Sequence, residues 1–365
     1  MSEMQIEDRL IACWQELLAS PAVNLDDDFF DLGGDSVIAA RLFATIRRMF
    51  GVNLVLSTLF EARTIRQLAN VVRSAQSRDA DLQPGAVVRL KEKPSAQPLF
   101  VISGLGGNVL NLRDLALHLG DSHTVYALQP KGLDGREPFQ TRIEDIAEYY
   151  VREMKRIQPN GPYFLAGYSF GGLIAFEIAQ QLVSAGEQVQ FLGLLDSAEY
   201  QYLVRVKNGL SRRERLSLYK SRFHSALFGS DRRDYLAKRL KARLYALVRR
   251  VLDATGLHML LHWATISDIN SYAASLYRPR TYPVSVTIFR TSEREILDGN
   301  DKFLGWGSLV RGPIAVHDVP GNHFTMTREP NASVLASQLS QALEIARADA
   351  DPSAFPNENT LAVPI

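Results

Sequence analysis

From residue 99 onward, short and mostly apolar runs alternate with longer amphipathic ones, and that rhythm leaves few folds open to the chain. Runs over 99–103, 123–128, 162–167, 189–195, 284–290 and 313–319 have strand length and are mostly apolar. Stretches over 108–119, 142–158, 170–185 and 331–346 carry apolar residues at helical spacing. Strands this apolar must be covered on both sides. The alternation therefore predicts a mostly parallel sheet with helices on both faces. Residues 200–275 break the rhythm: they read as several helices without a strand, an insertion placed to form a lid over the strand ends. That segment is strongly basic, with Arg212, Arg213, Arg215, Arg232, Arg233, Lys238, Arg239, Lys241, Arg243, Arg249 and Arg250. The tail after about 348 has the composition of a disordered segment.

The first part of the chain follows different rules. Ile6, Leu10, Cys13, Trp14 and Leu17 share one face of a helix over 3–19. A loop with Pro21, Asp26-Asp27-Asp28 and Gly33-Gly34 follows, then a helix from Ser36 to Phe50 that Gly51 ends. A short turn at 56–60 leads to a last helix from Thr64, its N-cap, to about Arg73. These elements predict a four-helix bundle over residues 1–76. Residues 77–97, polar and punctuated by Pro84, Gly85 and Pro94, read as a linker in which 86–90 has the composition of a short strand.

Composition narrows the function classes. A net charge of +1 over 365 residues argues against a general nucleic-acid binder. No apolar run approaches the roughly 20 residues that span a bilayer. The acidic N-terminus has no apolar signal region, and the one cysteine, Cys13, fits a reducing, cytoplasmic setting as a core residue.

Two serines in glycine-rich turns carry the chemistry. Ser169 sits in Gly167-Tyr168-Ser169-Phe170-Gly171-Gly172, entered from the run Tyr163-Phe164-Leu165-Ala166 and left by an apolar helix. That is the strand–turn–helix of a nucleophile elbow on an α/β-hydrolase sheet, rather than a helix-capping serine. Serine needs a base to attack at neutral pH. His323, in Pro320-Gly321-Asn322-His323-Phe324, lies between the last strand and the last helix, where that fold places the base. His317 lies within the strand, and His118, His123, His224, His258 and His262 have no comparable placement. Asp196, closing the run Phe191-Leu192-Gly193-Leu194-Leu195, leads as the orienting acid over Glu293, Glu295, Asp298 and Asp301 of a later loop. The turn Ser103-Gly104-Leu105-Gly106-Gly107 is placed to supply a second oxyanion donor from Leu105 N–H, beside that of Phe170. It lacks the spacing of a dinucleotide loop. Ser36 by itself reads as an N-cap whose helix would favour a phosphodiester.

Asp28-Phe29-Phe30-Asp31-Leu32-Gly33-Gly34-Asp35-Ser36 resembles the signature of peptidyl carrier domains from nonribosomal peptide synthetases, over about residues 4–75. The resemblance implies 4′-phosphopantetheine on Ser36, installed by a phosphopantetheinyl transferase and loaded by upstream synthetase modules. Residues 98–348 resemble the type I thioesterase domains that end such assembly lines, through Gly167–Gly172, Asp196, Gly305-Trp306 and Gly321-Asn322-His323-Phe324. The oxyanion turn departs from the family's frequent His-Pro-Ala-Gly-Gly, which preserves a backbone donor but not its side chains. The resemblance implies a serine thioesterase that releases an acyl or peptidyl thioester substrate by hydrolysis or macrocyclisation. Competing readings are a carrier and docking module with a non-catalytic hydrolase-like half, polyketide-type chain release, and a free-standing esterase. Two readings of the basic lid stand side by side: a solvated helix face, or a surface that attracts the pantetheine phosphate or the acidic loop 26–35 and guides docking. Ser36→Ala should abolish incorporation of phosphopantetheine, seen by intact mass as loss of the single adduct.

Overall fold

A computed structural model describes residues 3–52, 54–76, 86–93, 96–121, 123–133, 139–211, 266–293 and 299–348. The basic stretch 212–250, the acids Glu295 and Asp298, and the tail beyond 348 lie outside the described residues.

The N-terminal part contains α1 (Glu3–Leu18), α2 (Ser36–Phe50), the single turn α3 (Thr58–Glu61) and α4 (Ile65–Gln76). Ile65, Leu68, Ala69 and Val72 repeat at i, i+3, i+4 and i+7, which gives α4 one apolar stripe. That stripe and the matching face of α1 enclose Trp14, whose ring meets Phe29 edge-on at 5.2 Å between centroids. Burial pushes the Cys13 thiol up to about 11, as expected of a core cysteine. The acidic loop is tied down locally: Asp26 pairs with Arg66 at 2.8 Å, and Asp28 Oδ1 accepts the Phe30 N–H at 2.8 Å.

Seven strands follow in the order β1-β3-β2-β4-β5-β6-β7. They are β1 (Val87–Lys91), β2 (Gln97–Ile102), β3 (His123–Leu128), β4 (Tyr163–Tyr168), β5 (Val189–Leu195), β6 (Val286–Thr291) and β7 (Ile314–Val319). All neighbours are parallel except β1, which pairs antiparallel with β3 from Val87↔Leu128 onward. Within the expected linker 77–97, the stretch of strand composition is an edge strand, in which Val88 and Leu90 bury one face while Arg89 points to solvent. The expected helix over 108–119 is divided into a 3-10 turn, Val109–Leu112, and α5 (Arg113–His118). Asn108 accepts the Leu110 N–H at 3.0 Å and tightens that first turn.

Helices α6 (Ile143–Ile157), α7 (Phe170–Ser184), α8 (Tyr200–Gly209), α9 (Ile266–Leu276) and α10 (Asn331–Ala348) complete the described elements. Helix α7 is apolar on nearly every side, with Phe170, Leu173, Ile174, Phe176, Ile178 and Leu182 all buried. An all-round apolar helix belongs in an interior, and α7 lies between α6, β4 and β5. The opposite face of the sheet carries α5 and α10, and its apolar cluster is continuous with the core of the N-terminal helices. At that junction the Arg113 guanidinium sits 4.3 Å from the centroid of the Phe30 ring.

The order in which strands are added changes side at β2, with β3 laid on one side of it and β4 on the other. The ends of β2 and β4 therefore form the crevice where open α/β sheets bind ligands. A Cβ at Gly171 would lie 2.4 Å from the carbonyl oxygen of Ile102, so only glycine lets α7 start this close to β2. Gly171→Ala should cost about 1–3 kcal/mol through overpacking. The expected readout is a thermal midpoint lower by several degrees and greatly reduced labelling of Ser169.

Candidate active site

Ser169 follows β4 directly and has φ 55° and ψ −123°, a conformation that few non-glycine residues adopt. Its N–H donates to Leu195 O at 2.9 Å, and Gly172 N–H donates back to Ser169 O at 3.0 Å. The elbow is thereby pinned between β5 and the first turn of α7, at about 1–3 kcal/mol of backbone strain. Phe170, the next residue, opens the helix.

His323 lies in the turn between β7 and α10, and its Nε2 is 2.9 Å from Ser169 Oγ. Its Nδ1 is 2.7 Å from Asp196 Oδ2. Asp196 is the residue after β5, at φ 45°, and its N–H donates to Phe289 O at 2.6 Å. Its other oxygen, Oδ1, accepts from the Thr291 N–H at 3.0 Å and the Thr291 hydroxyl at 3.2 Å. With the Asp196 side chain 9% exposed, those bonds keep the carboxylate satisfied in a site largely closed to water. The two described acids of the rival loop are engaged elsewhere. Asp301 accepts the N–H groups of Phe303 and Gly305, and Glu293 meets Asn322 Nδ2 at 3.3 Å on the surface.

The other described histidines stay outside this constellation. His118 pairs with Glu329, His123 is buried against Gln97 O, and His317 stacks on Phe289. His224, His258 and His262 lie outside the described residues.

Leu105 shares a cavity of about 450 Å³ with Ser169 and His323. Its apolar wall includes Phe170, Leu173, Tyr200, Leu203 and Leu304, and Lys207 and Glu293 bring charge to its lining. A Cβ placed on Gly104 would lie 3.6 Å from the Ser169 Cβ, which shows how closely the turn after β2 approaches the elbow.

Two supporting residues are not apparent in the sequence. Thr291 ends β6 and holds Asp196; a polar residue closing an apolar strand was its only signal. Tyr168 donates its hydroxyl to the His323 carbonyl, and its ring stacks on the imidazole at 5.3 Å. It lies at the variable position before Ser169, so the motif itself does not reveal it.

Ser36 begins α2, where Asp35 Oδ1 accepts the Ile38 N–H at 2.7 Å. Gly34 packs so tightly that an added Cβ would lie 2.3 Å from the Phe29 ring. Beside this turn, a second cavity of about 270 Å³ opens between Phe30, Gly34 and Asp35 on one wall and Asn111, Arg113 and Arg328 on the other. The stage before Ser36 is thus a tight turn and a helix start facing a polar cavity, which suits an attached phosphodiester and amide-bearing arm.

A strained serine at the end of a parallel strand, facing a histidine that meets a buried carboxylate, defines a serine hydrolase on an α/β sheet. The chain belongs to the thioesterase domain family, which matches residues 97–343, and is a serine thioesterase. Residues 8–72 match the phosphopantetheine attachment site family, so the helical part is a carrier for that covalent group. Malpibaldin synthetase of Mortierella alpina is 30% identical over 93% of this chain, which spans 6% of that protein. A dimodular nonribosomal peptide synthase of Bacillus subtilis is 30% identical over 93% of the chain, which spans 14% of it. A crystal structure of a holo four-domain nonribosomal peptide synthetase superposes with a TM-score of 0.58 and 26% identity, over 92% of this chain and 26% of that one. The chain therefore spans a small part of the synthetases it resembles. No helix among the described residues is long and apolar enough to cross a membrane.

Burial first, and then the Asp196 charge, push the Tyr168 phenol up to about 12. A folded-state value above the ordinary 10 stabilises the fold fully below pH 10, and that contribution is lost as pH rises through 12. Tyr168→Phe should therefore cost about 1 kcal/mol at pH 8. Its stability should fall less steeply than that of the wild type between pH 10 and 12, measured by urea unfolding.

Proposed function

We propose that the chain releases an acyl or peptidyl product from the thioester carried on Ser36, with Ser169 as nucleophile, His323 as general base and acid, and Asp196 as the group that orients the imidazole. The observation that carries this reading is the continuous chain of contacts from Ser169 Oγ through His323 to Asp196, at 2.9 Å and 2.7 Å. Phosphopantetheine, when attached, supplies a thiol on which the acyl group is held as a thioester. The cavity beside Gly34 and Asp35 is the place for that arm, with Asn111, Arg113 and Arg328 as its polar partners in a lining that also holds Asp114 and Glu329. The hydrolase wall of this cavity lies a few residues beyond the oxyanion turn on one side and beyond His323 on the other.

Ser169 Oγ bonds to the acyl carbon as its proton passes to His323 Nε2. The Leu105 and Phe170 N–H groups take the charge that develops on the carbonyl oxygen. As the tetrahedral centre collapses, the carbon–sulfur bond breaks and Nε2 returns its proton to the departing sulfur. His323 then draws a proton from water, or from a hydroxyl or amine of the acyl chain, and that nucleophile attacks the acyl-Ser169 ester. Proton return to Ser169 Oγ completes the cycle. Water yields a free acid, and an internal nucleophile yields a ring. Asp196 holds Nδ1–H throughout, and Thr291 holds Asp196.

The product belongs to nonribosomal peptide assembly by this reading, which the likeness to synthetases over both parts of the chain supports. A phosphopantetheinyl transferase and upstream synthetase modules are the partners, and the cytoplasm is the compartment. In the holo protein loaded on Ser36, Ser169→Ala should leave the acyl group stranded, with release slowed by about 10³-fold or more. Intact mass over time reads this directly; release at the wild-type rate would sink the assignment. Asp196→Asn should lower kcat by about 10⁴-fold by favouring the wrong imidazole tautomer. A fluorophosphonate that labels the wild type but not Ser169→Ala separates this enzyme from a docking module with an idle hydrolase half.

A further inference from the structure

We infer that Asn270, on α9, is a positioning residue that holds the oxyanion turn in its working conformation, an inference that rests on the proposed role of the Leu105 N–H. The turn after β2 is soft by composition: Gly104, Gly106 and Gly107 surround Leu105, and glycine leaves the backbone many alternatives. Gly107 N–H donates to Gly104 O at 2.9 Å, closing a four-residue β-turn whose central peptide joins Leu105 to Gly106. That bond closes the turn on itself but does not tie Leu105 to the rest of the protein.

Asn270 supplies that tie: its Nδ2 donates to the Leu105 carbonyl at 2.8 Å and joins the residue that carries the donor N–H to α9. The residue is 2% exposed, on a helix face otherwise formed by Ile269, Tyr272, Ala273 and Ala274. A buried amide on an apolar face is costly without a partner, and the Leu105 carbonyl is the partner it meets. The same side of α9 continues the contact. Ser267 Oγ lies 3.8 Å from a Cβ built on Gly106, and Ser271 and Ala274 line the cavity that holds Ser169. The opposite side of the turn packs on the elbow, where a Cβ on Gly104 would meet the Tyr168 ring at 3.2 Å. The turn is thus clamped between the residue that precedes the nucleophile and an amide delivered from 165 positions later in the chain. Asn270 touches no reacting atom. It acts through Leu105.

The mechanism separates binding from turnover, because the oxyanion exists only in the transition state. The experiment uses Asn270→Leu and Asn270→Asp, both close in size to asparagine, assayed on a small soluble acyl thioester. The carboxylate of Asn270→Asp turns an acceptor toward the Leu105 carbonyl, so one variant removes the donor and the other opposes it. We expect kcat to fall about tenfold in both, short of the roughly 10²–10³-fold loss of a whole oxyanion donor, with KM within about twofold. Fluorophosphonate labelling of Ser169 should slow in parallel, and thermal midpoints should stay within a few degrees of the wild type. Wild-type kcat in either folded variant overturns the inference, as does a rise in KM at constant kcat. Ser169→Ala run alongside keeps the two readings apart. Should Ser169→Ala remain active, the functional reading and this inference fall together. Should it be inactive while Asn270→Leu keeps wild-type kcat, only the role of Asn270 falls.

Discussion

The backbone of Ser169 is bent into a conformation that an isolated chain would leave at once, and most of the architecture can be read as what keeps it there. The strain amounts to about 1–3 kcal/mol. Against it stand six large apolar side chains of α7, each contributing roughly 1.5–3 kcal/mol on burial. The helix cannot move away from β4 and β5 without exposing them, so the elbow stays bent. Its hydroxyl stands clear of the strand as a result, facing the loops at the carboxyl end of the sheet.

Those loops do not position themselves. His323 is steadied by the Tyr168 ring and hydroxyl from one side and by Asp196 from the other. Asp196 depends on Thr291, from the neighbouring strand. The Leu105 carbonyl accepts from Asn270, on the helix that closes the inserted segment. Each group that meets substrate is held by a residue from a different element, all of them anchored to the parallel core. A site assembled in this way tolerates little independent motion of its parts, which is what positioning within a fraction of an ångström requires.

The carrier part adds a second constraint. Its apolar core is continuous with the face of the sheet under α5 and α10, and Arg113 caps the junction over Phe30. The turn before Ser36 therefore opens onto a cavity walled by the segments that continue from the oxyanion turn and from the histidine loop. Nothing in the hydropathy of 108–119 foretells this seat. Arg113 looks like any exposed helix residue until Phe30 is placed beneath it.

Local order in the amino-acid sequence was enough for the fold class, because strand-length apolar runs separated by amphipathic stretches admit little besides a covered parallel sheet. It was also enough to single out the serine, since Gly-Tyr-Ser-Phe-Gly is contiguous between a strand and a helix, although Gly171 answers to its packing on the distant Ile102. Asp196 and His323 could be singled out only as residues at strand ends. Their meeting with Ser169 depends on which strands are neighbours. The hold of Thr291 and Tyr168, the grip of Asn270 and the seat of the carrier were decided by tertiary structure alone. Each joins residues far apart in the chain, and a hydrogen bond or ring contact over that separation leaves no period, spacing or composition for a linear reading to detect.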